Sequence, residues 1–187
     1  MPSILVRDAQ DITDAERDAC QSLWRRTFAP NPAQQASRVP DPACDNTPAI
    51  YVMLRDEDDS LVGACHWIDR EIEVAGKPHR IAALGAVSIE EAYRGAGLGA
   101  QMIRGAIAAA AERDYPFGVL FCGPHRRAFY SRLGWRLLEG ELKVTRHGAD
   151  GPPEEGDLVM ALPLSPSAEE QFGDWIHAPI HLGVGQW

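Results

Sequence analysis

The sequence lacks the features that would mark a secreted, membrane-spanning or nucleic-acid-binding chain. Its four cysteines, Cys20, Cys44, Cys65 and Cys122, form no C-x-x-C pair, and no charged-then-apolar leader precedes them. They are therefore expected to be reduced thiols, mostly buried. No apolar run approaches the length of a membrane span, so no membrane association is expected and the protein is assigned to the cytoplasm. Positive charge is scarce: Lys and Arg number 18 against 27 Asp and Glu, a net charge of −9. That balance disfavours nucleic acid as a partner and draws cationic molecules by long-range attraction, although plain solubility explains the same number. His177 and His181 stand four apart, but Pro179 between them opposes the helix that would align them, so no metal site is expected.

What is present is one domain's worth of chain, 187 residues with an ordinary 45% hydrophobic content, organised around residues 84–104. Residues 81–89 are uncharged and mostly apolar, as in a buried strand. From Leu98 the apolar residues Leu98, Met102, Ile103, Ala106 and Ala110 recur at helical spacing. The turn between them is Arg94-Gly95-Ala96-Gly97-Leu98-Gly99-Ala100. A helix start carries unpaired N–H groups and a partial positive charge, and glycines let those amides close on an anion without a Cβ in the way. A phosphate or pyrophosphate cradle is the expectation. A glycine-rich connection that binds nothing is the plain alternative. The dinucleotide fingerprint is met by Gly95, Gly97 and Ala100, yet it needs the glycines directly after the strand and an acidic residue ending the next one. Here residues 90–94 intervene and the next strand runs into Gly123, Pro124 and His125.

Before this stretch, residues 4–7 read as a first strand. Thr13 and Glu16 have capping-box spacing ahead of the apolar face Ala19, Cys20, Leu23, Trp24 and Phe28. Five prolines make a regular helix improbable over residues 29–48. Residues 50–54, 61–69 and 70–74 read as extended, with turns at residues 56–59 and 75–78, an antiparallel meander. After it come a helix to about Arg113 and a strand at 118–122. A helix then begins near Pro124, ends at Gly134 and contains Phe129 and Tyr130. Strands are expected at 137–145 and 158–162, separated by a polar excursion.

The turn resembles the acyl-coenzyme A loop of the GNAT superfamily of N-acetyltransferases, whose pattern of Arg or Gln, two residues, Gly, any residue, Gly or Ala is met by Arg94, Gly97 and Gly99. The resemblance implies an α/β (α+β) fold with a mixed, mostly antiparallel sheet of six to seven strands, flanked by helices and splayed at the coenzyme site. It also implies acetyl-CoA as the acyl donor, held by the backbone of Val87, Ser88 and Ile89 and by the loop residues Arg94, Gly95, Ala96, Gly97, Leu98, Gly99 and Ala100. In the second signature an aromatic-rich helix beside the coenzyme, here with Phe129, carries a Tyr one turn ahead of a glycine. Tyr130 stands there, as the acid that would protonate the departing thiolate; the plain reading is an aromatic packed on the sheet.

The layout over most of the chain is closest to the aminoglycoside 2'-N-acetyltransferase branch, with its Leu-Pro strand, Ser-Ala-Glu segment, Asp-Trp pair and terminal Trp. That likeness implies residues 1–187 as a single acetyltransferase domain with the tail 164–187 near the acceptor. It also implies Trp187, Glu154 and Glu155 around a cationic small-molecule amine, with Asp41 and Asp45 on the segment that faces it. Two departures stand out: Gly85 lies where the branch has a Glu that deprotonates the amine through water, and the tail is longer around Pro179. The base is therefore left among the Trp187 carboxylate, His125 and Glu90 through water. The function expected is direct acetyl transfer to a primary amine. The alternative is an inactive acyl-CoA-binding module that acts as a sensor or partner. A homodimer is compatible with either.

Overall fold

A computed structural model describes residues 2–28, 47–185 and 187. In chain order the elements are β1 (Ser3–Asp8), α1 (Asp14–Thr27), β2 (Ile50–Arg55), β3 (Leu61–Val74), β4 (Lys77–Ile89), a 3-10 turn (Glu91–Tyr93), α2 (Leu98–Ala111) and β5 (Phe117–Cys122). A second 3-10 turn (Pro124–Arg126) leads directly into α3 (Arg127–Ser131), followed by β6 (Arg136–Leu137), β7 (Leu142–Arg146), β8 (Ala149–Gly151), β9 (Leu158–Pro163), α4 (Pro166–Ile176) and β10 (Ile180–Val184).

All ten strands belong to one sheet. The meander β1-β2-β3-β4 is antiparallel throughout; β4 then pairs in parallel with β5, which pairs antiparallel with β9, and β9 with β6. The long β3 has two neighbours on its other edge, β2 along its first half and β10 at its end. The two extended runs at 61–69 and 70–74 are thus one strand. The expected strand over 137–145 is split between β6 and β7. Gly140 marks the break: a Cβ there would lie 1.9 Å from the Ala178 carbonyl oxygen, so the chain passes against its own tail where a strand side chain has no room. The polar excursion also contains a strand, β8, that pairs with β7. These additions raise the strand count above the expected six to seven.

Local chemistry accounts for the elements. Thr13 and Glu16 form the reciprocal capping box, with the Thr13 N–H donating to Glu16 Oε2 at 2.9 Å and the Glu16 N–H to Thr13 Oγ1 at 3.2 Å. Ala75 (φ +50°) and Gly76 (φ +75°) form a two-residue turn with both residues left-handed, which matches the twist of the β3–β4 hairpin and sets its register from Val74 opposite Lys77. The alanine-rich α2 buries Met102, Ile103, Ala106, Ala109 and Ala110. The single helix expected between Pro124 and Gly134 is instead a 3-10 turn followed by a short α-helix. Its end is as expected: Gly134 has φ +93°, and the Trp135 N–H reaches the Tyr130 carbonyl at 3.2 Å while the Gly134 N–H reaches Ser131 at 3.1 Å.

The two faces of the sheet carry separate cores. On one, α2 and α3 cover Val52, Leu54, Cys65, Trp67, Leu84 and their neighbours. On the other, α1 packs over Tyr51, Met53 and Ala64, and α4 over Phe117, Val119 and Ile81. Gly118 is the tightest point between strand and aromatic layer, since an added Cβ would lie 3.1 Å from Trp135 and 3.2 Å from Trp67, two rings stacked 6.2 Å apart. Gly118→Ala is therefore expected to cost about 1–3 kcal/mol by overpacking. Chemical denaturation checks this through a lowered midpoint at unchanged slope.

Candidate functional site

The site begins where β4 and β5 part. They pair from Ala82 opposite Gly118 to Leu84 opposite Leu120 and no further, while β5 stays with β9 to Cys122 and β4 stays with β3 to Ile89. On β4 the register skips from Gly85, opposite His66, to Ser88, opposite Ala64. The extra residue is a bulge in which Ala86 adopts φ +51°, an uncommon conformation for a residue with a Cβ. Ala86 and Val87 are thereby out of the β3 ladder, and their other edge has already lost β5. Backbone polar groups are thus presented in a wedge between two strands. Ser88 is buried beside it, its hydroxyl donating to the Ala64 carbonyl at 3.3 Å.

Beyond Ile89 the glycine-dense turn opens α2. Gly95 (φ +83°) and Gly97 (φ +79°, the N-cap) take left-handed conformations, and a Cβ on either would meet nothing within 4 Å. Those glycines serve the turn's conformation and leave open space above it. No side chain caps α2, so the N–H groups of its first turn have neither intrahelical nor side-chain acceptors. An anion suits such a site, and so the cradle fits the pyrophosphate of a coenzyme A thioester. The Arg94 Nε–H donates to the Ile89 carbonyl at 3.1 Å and folds the turn back on the strand. Tyr93 anchors the preceding 3-10 turn with a 2.6 Å bond to Asp56. Gly99 lies within 3.8 Å, at its Cβ position, of both Ile89 and Phe129. Strand, turn and aromatic helix thus meet at one point.

Tyr130 is buried, with Phe129 edge-on at 5.0 Å and Trp135 at 6.0 Å. Burial pushes its hydroxyl up to about 12, with Arg126 opposing the rise, so it keeps its proton throughout the neutral range. Such a group can serve as a proton donor. Of the base candidates, Glu90 ion pairs with Arg26 of α1. His125 is exposed on the 3-10 turn, its Nε2 accepting from Arg126 at 3.2 Å.

On the opposite face, Trp187 sets its indole edge-on against Phe121 at 4.7 Å, with the Arg70 guanidinium 5.1 Å above the ring. Arg70 also donates to the Val184 carbonyl at 2.7 Å, which ties β3 to β10. Beside it a 530 Å³ cleft opens between the residues just before β2, the middle of β3 and the end of β10. The loop carrying Glu154 and Glu155 precedes β9, whose first residue, Leu158, pairs with Cys122 at the open end of the wedge. Cys20, Cys65 and Cys122 are free and buried, and burial raises all three thiols. Asp41, Asp45 and Cys44 lie outside the described residues. Among the described residues no cluster of three or more His, Cys, Asp or Glu is placed to hold a metal, and no helix is long and apolar enough to cross a membrane.

One residue of this face was missed by sequence reasoning. His66 projects over Gly85, where an added Cβ would fall 2.6 Å from its Nε2. Its ring meets Trp24 of α1 edge-on at 5.0 Å, and its Nδ1 is buried with no hydrogen-bond partner among the described residues. Burial pulls its pKa down to about 4 from an ordinary 6.5. Because the folded-state value is the lower one, the stability this contributes is complete above pH 6.5 and is lost as pH falls toward 4. The full effect is on the order of 3 kcal/mol. Thermal melts between these limits are expected to fall more steeply for the native chain than for His66→Gln.

The sequence profile of the family described as "Acetyltransferase (GNAT) domain" matches residues 8–138. The chain belongs to that family. It is an acetyl-CoA-dependent N-acetyltransferase, an acyltransferase that takes its acyl group from acetyl-CoA. Among solved structures it is similar in fold to a GNAT family N-acetyltransferase, YhbS, from Escherichia coli in complex with CoA, at TM-score 0.63 and 18% identity over 97% of this chain and 91% of that one. An acyl-CoA N-acyltransferase from Pseudomonas aeruginosa is similar at TM-score 0.62 and 19% identity, covering 87% and 99%. Escherichia coli ElaA follows at TM-score 0.61 and 16% identity over 87% and 99%. No curated protein sequence matches the chain.

Proposed function

We propose that this enzyme acetylates a primary amine of a cationic small molecule, with aminoglycosides the first acceptor class to test. The observation that carries the reading is the wedge between β4 and β5, which has an anion cradle at the start of α2 and is bordered by β5, the strand whose Phe121 packs on Trp187. A donor held in the wedge by the backbone of Val87, Ser88 and Ile89, with its pyrophosphate on Arg94 to Ala100 and Phe129 alongside, would bring its acyl end between the two strands. The acceptor side is supported by Glu154 and Glu155 on the loop that leads into β9 and by the net charge of −9. Asp41 and Asp45 add to the acidic count of the sequence. Trp187, the Leu162-Pro163 strand and the Asp174-Trp175 pair support the aminoglycoside 2'-N-acetyltransferase branch in particular.

In this reading the chain does three things. The backbone amides freed at the bulge, Val87 foremost, donate to the oxygen that gains charge as the amine attacks. Tyr130 gives its proton to the departing sulfur. The acidic rim holds the acceptor's ammonium groups and orients one amine. When bound, acetyl-CoA supplies the activated acyl group, and neither a nucleophilic cysteine nor a metal is needed.

Steady-state assays with tobramycin, spermidine and a peptide N-terminal amine test the acceptor class. Tobramycin is expected to give the highest kcat/KM, and Glu154→Gln/Glu155→Gln to raise its KM at low ionic strength, an effect that shrinks in high salt. A peptide amine preferred over both cations, with KM indifferent to the two glutamates, would reject a cationic small-molecule acceptor.

A further inference from the structure

The half-buried imidazole of His66 packs edge-on against Trp24 of α1. Its Nδ1 has no hydrogen-bond partner among the described residues, and its pairing with Gly85 places the ring over a residue that has no side chain of its own. Gly85 is the first residue of β4 beyond the last β4–β5 pair, so the ring stands at the threshold of the wedge. It also lies on the same sheet face as Phe121, which bears Trp187. The neighbours of His66 are aromatic or apolar. Trp24 of α1 packs on its edge, Tyr51 of β2 is its register partner on the other side, and Arg17 of α1 is turned to that tyrosine, 5.7 Å from its ring centre. Burial alone sets its protonation, and no charged side chain contributes.

We propose that His66 is the proton acceptor for the attacking amine, occupying from β3 the space that a side chain on Gly85 would otherwise fill. The inference rests on the acyl-transfer reading of the wedge. The neutral amine nitrogen forms a bond to the acyl carbon, and the C–S bond breaks. The nitrogen's surplus proton passes to the imidazole and from there to water, while Tyr130 protonates the sulfur and is reprotonated from solvent. The products are the amide and the free thiol of coenzyme A, with protons in balance. A weak base suffices, because the ammonium proton becomes far more acidic once its nitrogen is bonded to the acyl carbon. A base that stays neutral down to mildly acidic pH also keeps accepting protons there, so its own ionisation is not what shapes the rate near neutrality.

The test uses the full chain with acetyl-CoA and either tobramycin or spermidine, whichever the native enzyme acetylates faster. His66→Gln, which keeps a polar planar group of similar size, is expected to lower kcat about 100-fold with KM and acetyl-CoA affinity nearly unchanged. His66→Ala opens room for added imidazoles, and the restored rate is expected to rise with the basicity of the imidazole supplied. Gly85→Glu alone is expected to be inactive, because its side chain meets the ring, and His66→Ala/Gly85→Glu to recover turnover over His66→Ala. Turnover of His66→Gln within threefold of native, or rescue indifferent to basicity, would overturn the assignment while leaving acyl transfer intact. If the native enzyme acetylates neither amine, nor any in a wider panel, the acyl-transfer reading and this inference fall together.

Discussion

Gly97→Glu is expected to abolish acetyl-CoA binding, weakening it beyond the range of calorimetry, while the protein stays folded. The two halves of that expectation have separate causes. A Cβ at Gly97 meets no atom within 4 Å, so the core is not disturbed; the left-handed φ of +79° costs about 1–2 kcal/mol locally. The binding loss comes from placing a carboxylate at the uncapped start of α2, where it takes up the amides and repels the pyrophosphate. Gly97→Ala separates strain from charge and is expected to weaken binding far less. Titration of both variants with acetyl-CoA, with a melting curve for each, checks this. Unaltered binding by the glutamate variant would refute the cradle.

Tyr130→Phe is the complementary experiment. It removes one hydroxyl from a buried ring whose packing against Phe129 and Trp135 is otherwise retained. A fall in kcat of about 100-fold is expected, at nearly constant coenzyme affinity, because the loss falls on the proton given to the sulfur. Acceptors do not change that step, so all of them should suffer alike. Full activity would return Tyr130 to the role of a packing residue. The buried hydroxyl keeps its proton to about 12, so no decline attributable to Tyr130 ionisation is expected below that value.

The parts of the site legible in the sequence are those written as contiguous patterns. The strand, the turn with its two left-handed glycines and the start of α2 follow one another in a single run, and Gly134 announces the end of the Tyr130 helix. What was not legible depends on partners far apart in the chain. The break at Gly140 follows from a tail almost forty residues later, at Ala178, and nothing near Gly140 signals it. The charge on Glu90 is spoken for by Arg26 of α1, across a proline-rich stretch that obscures the distance between them. His66 is an intermediate case. The two-residue turn at Ala75 and Gly76 was readable as a hairpin, and counting back along both strands from it sets His66 opposite Gly85. The missing side chain on one strand and the histidine on the other could have been read as one feature.

The most direct test of the whole account is the mass of the product formed when native enzyme, acetyl-CoA and the amine panel are incubated together. A mass readout avoids interference from the protein's own thiols. The expected result is a single acetyl group added to one amine of a polycationic acceptor, formed far faster than on the others, and absent with Gly97→Glu. The contradicting result is no acetylated product from any amine while the native enzyme demonstrably binds acetyl-CoA. The wedge between β4 and β5 would then hold the coenzyme without delivering its acyl group to an amine.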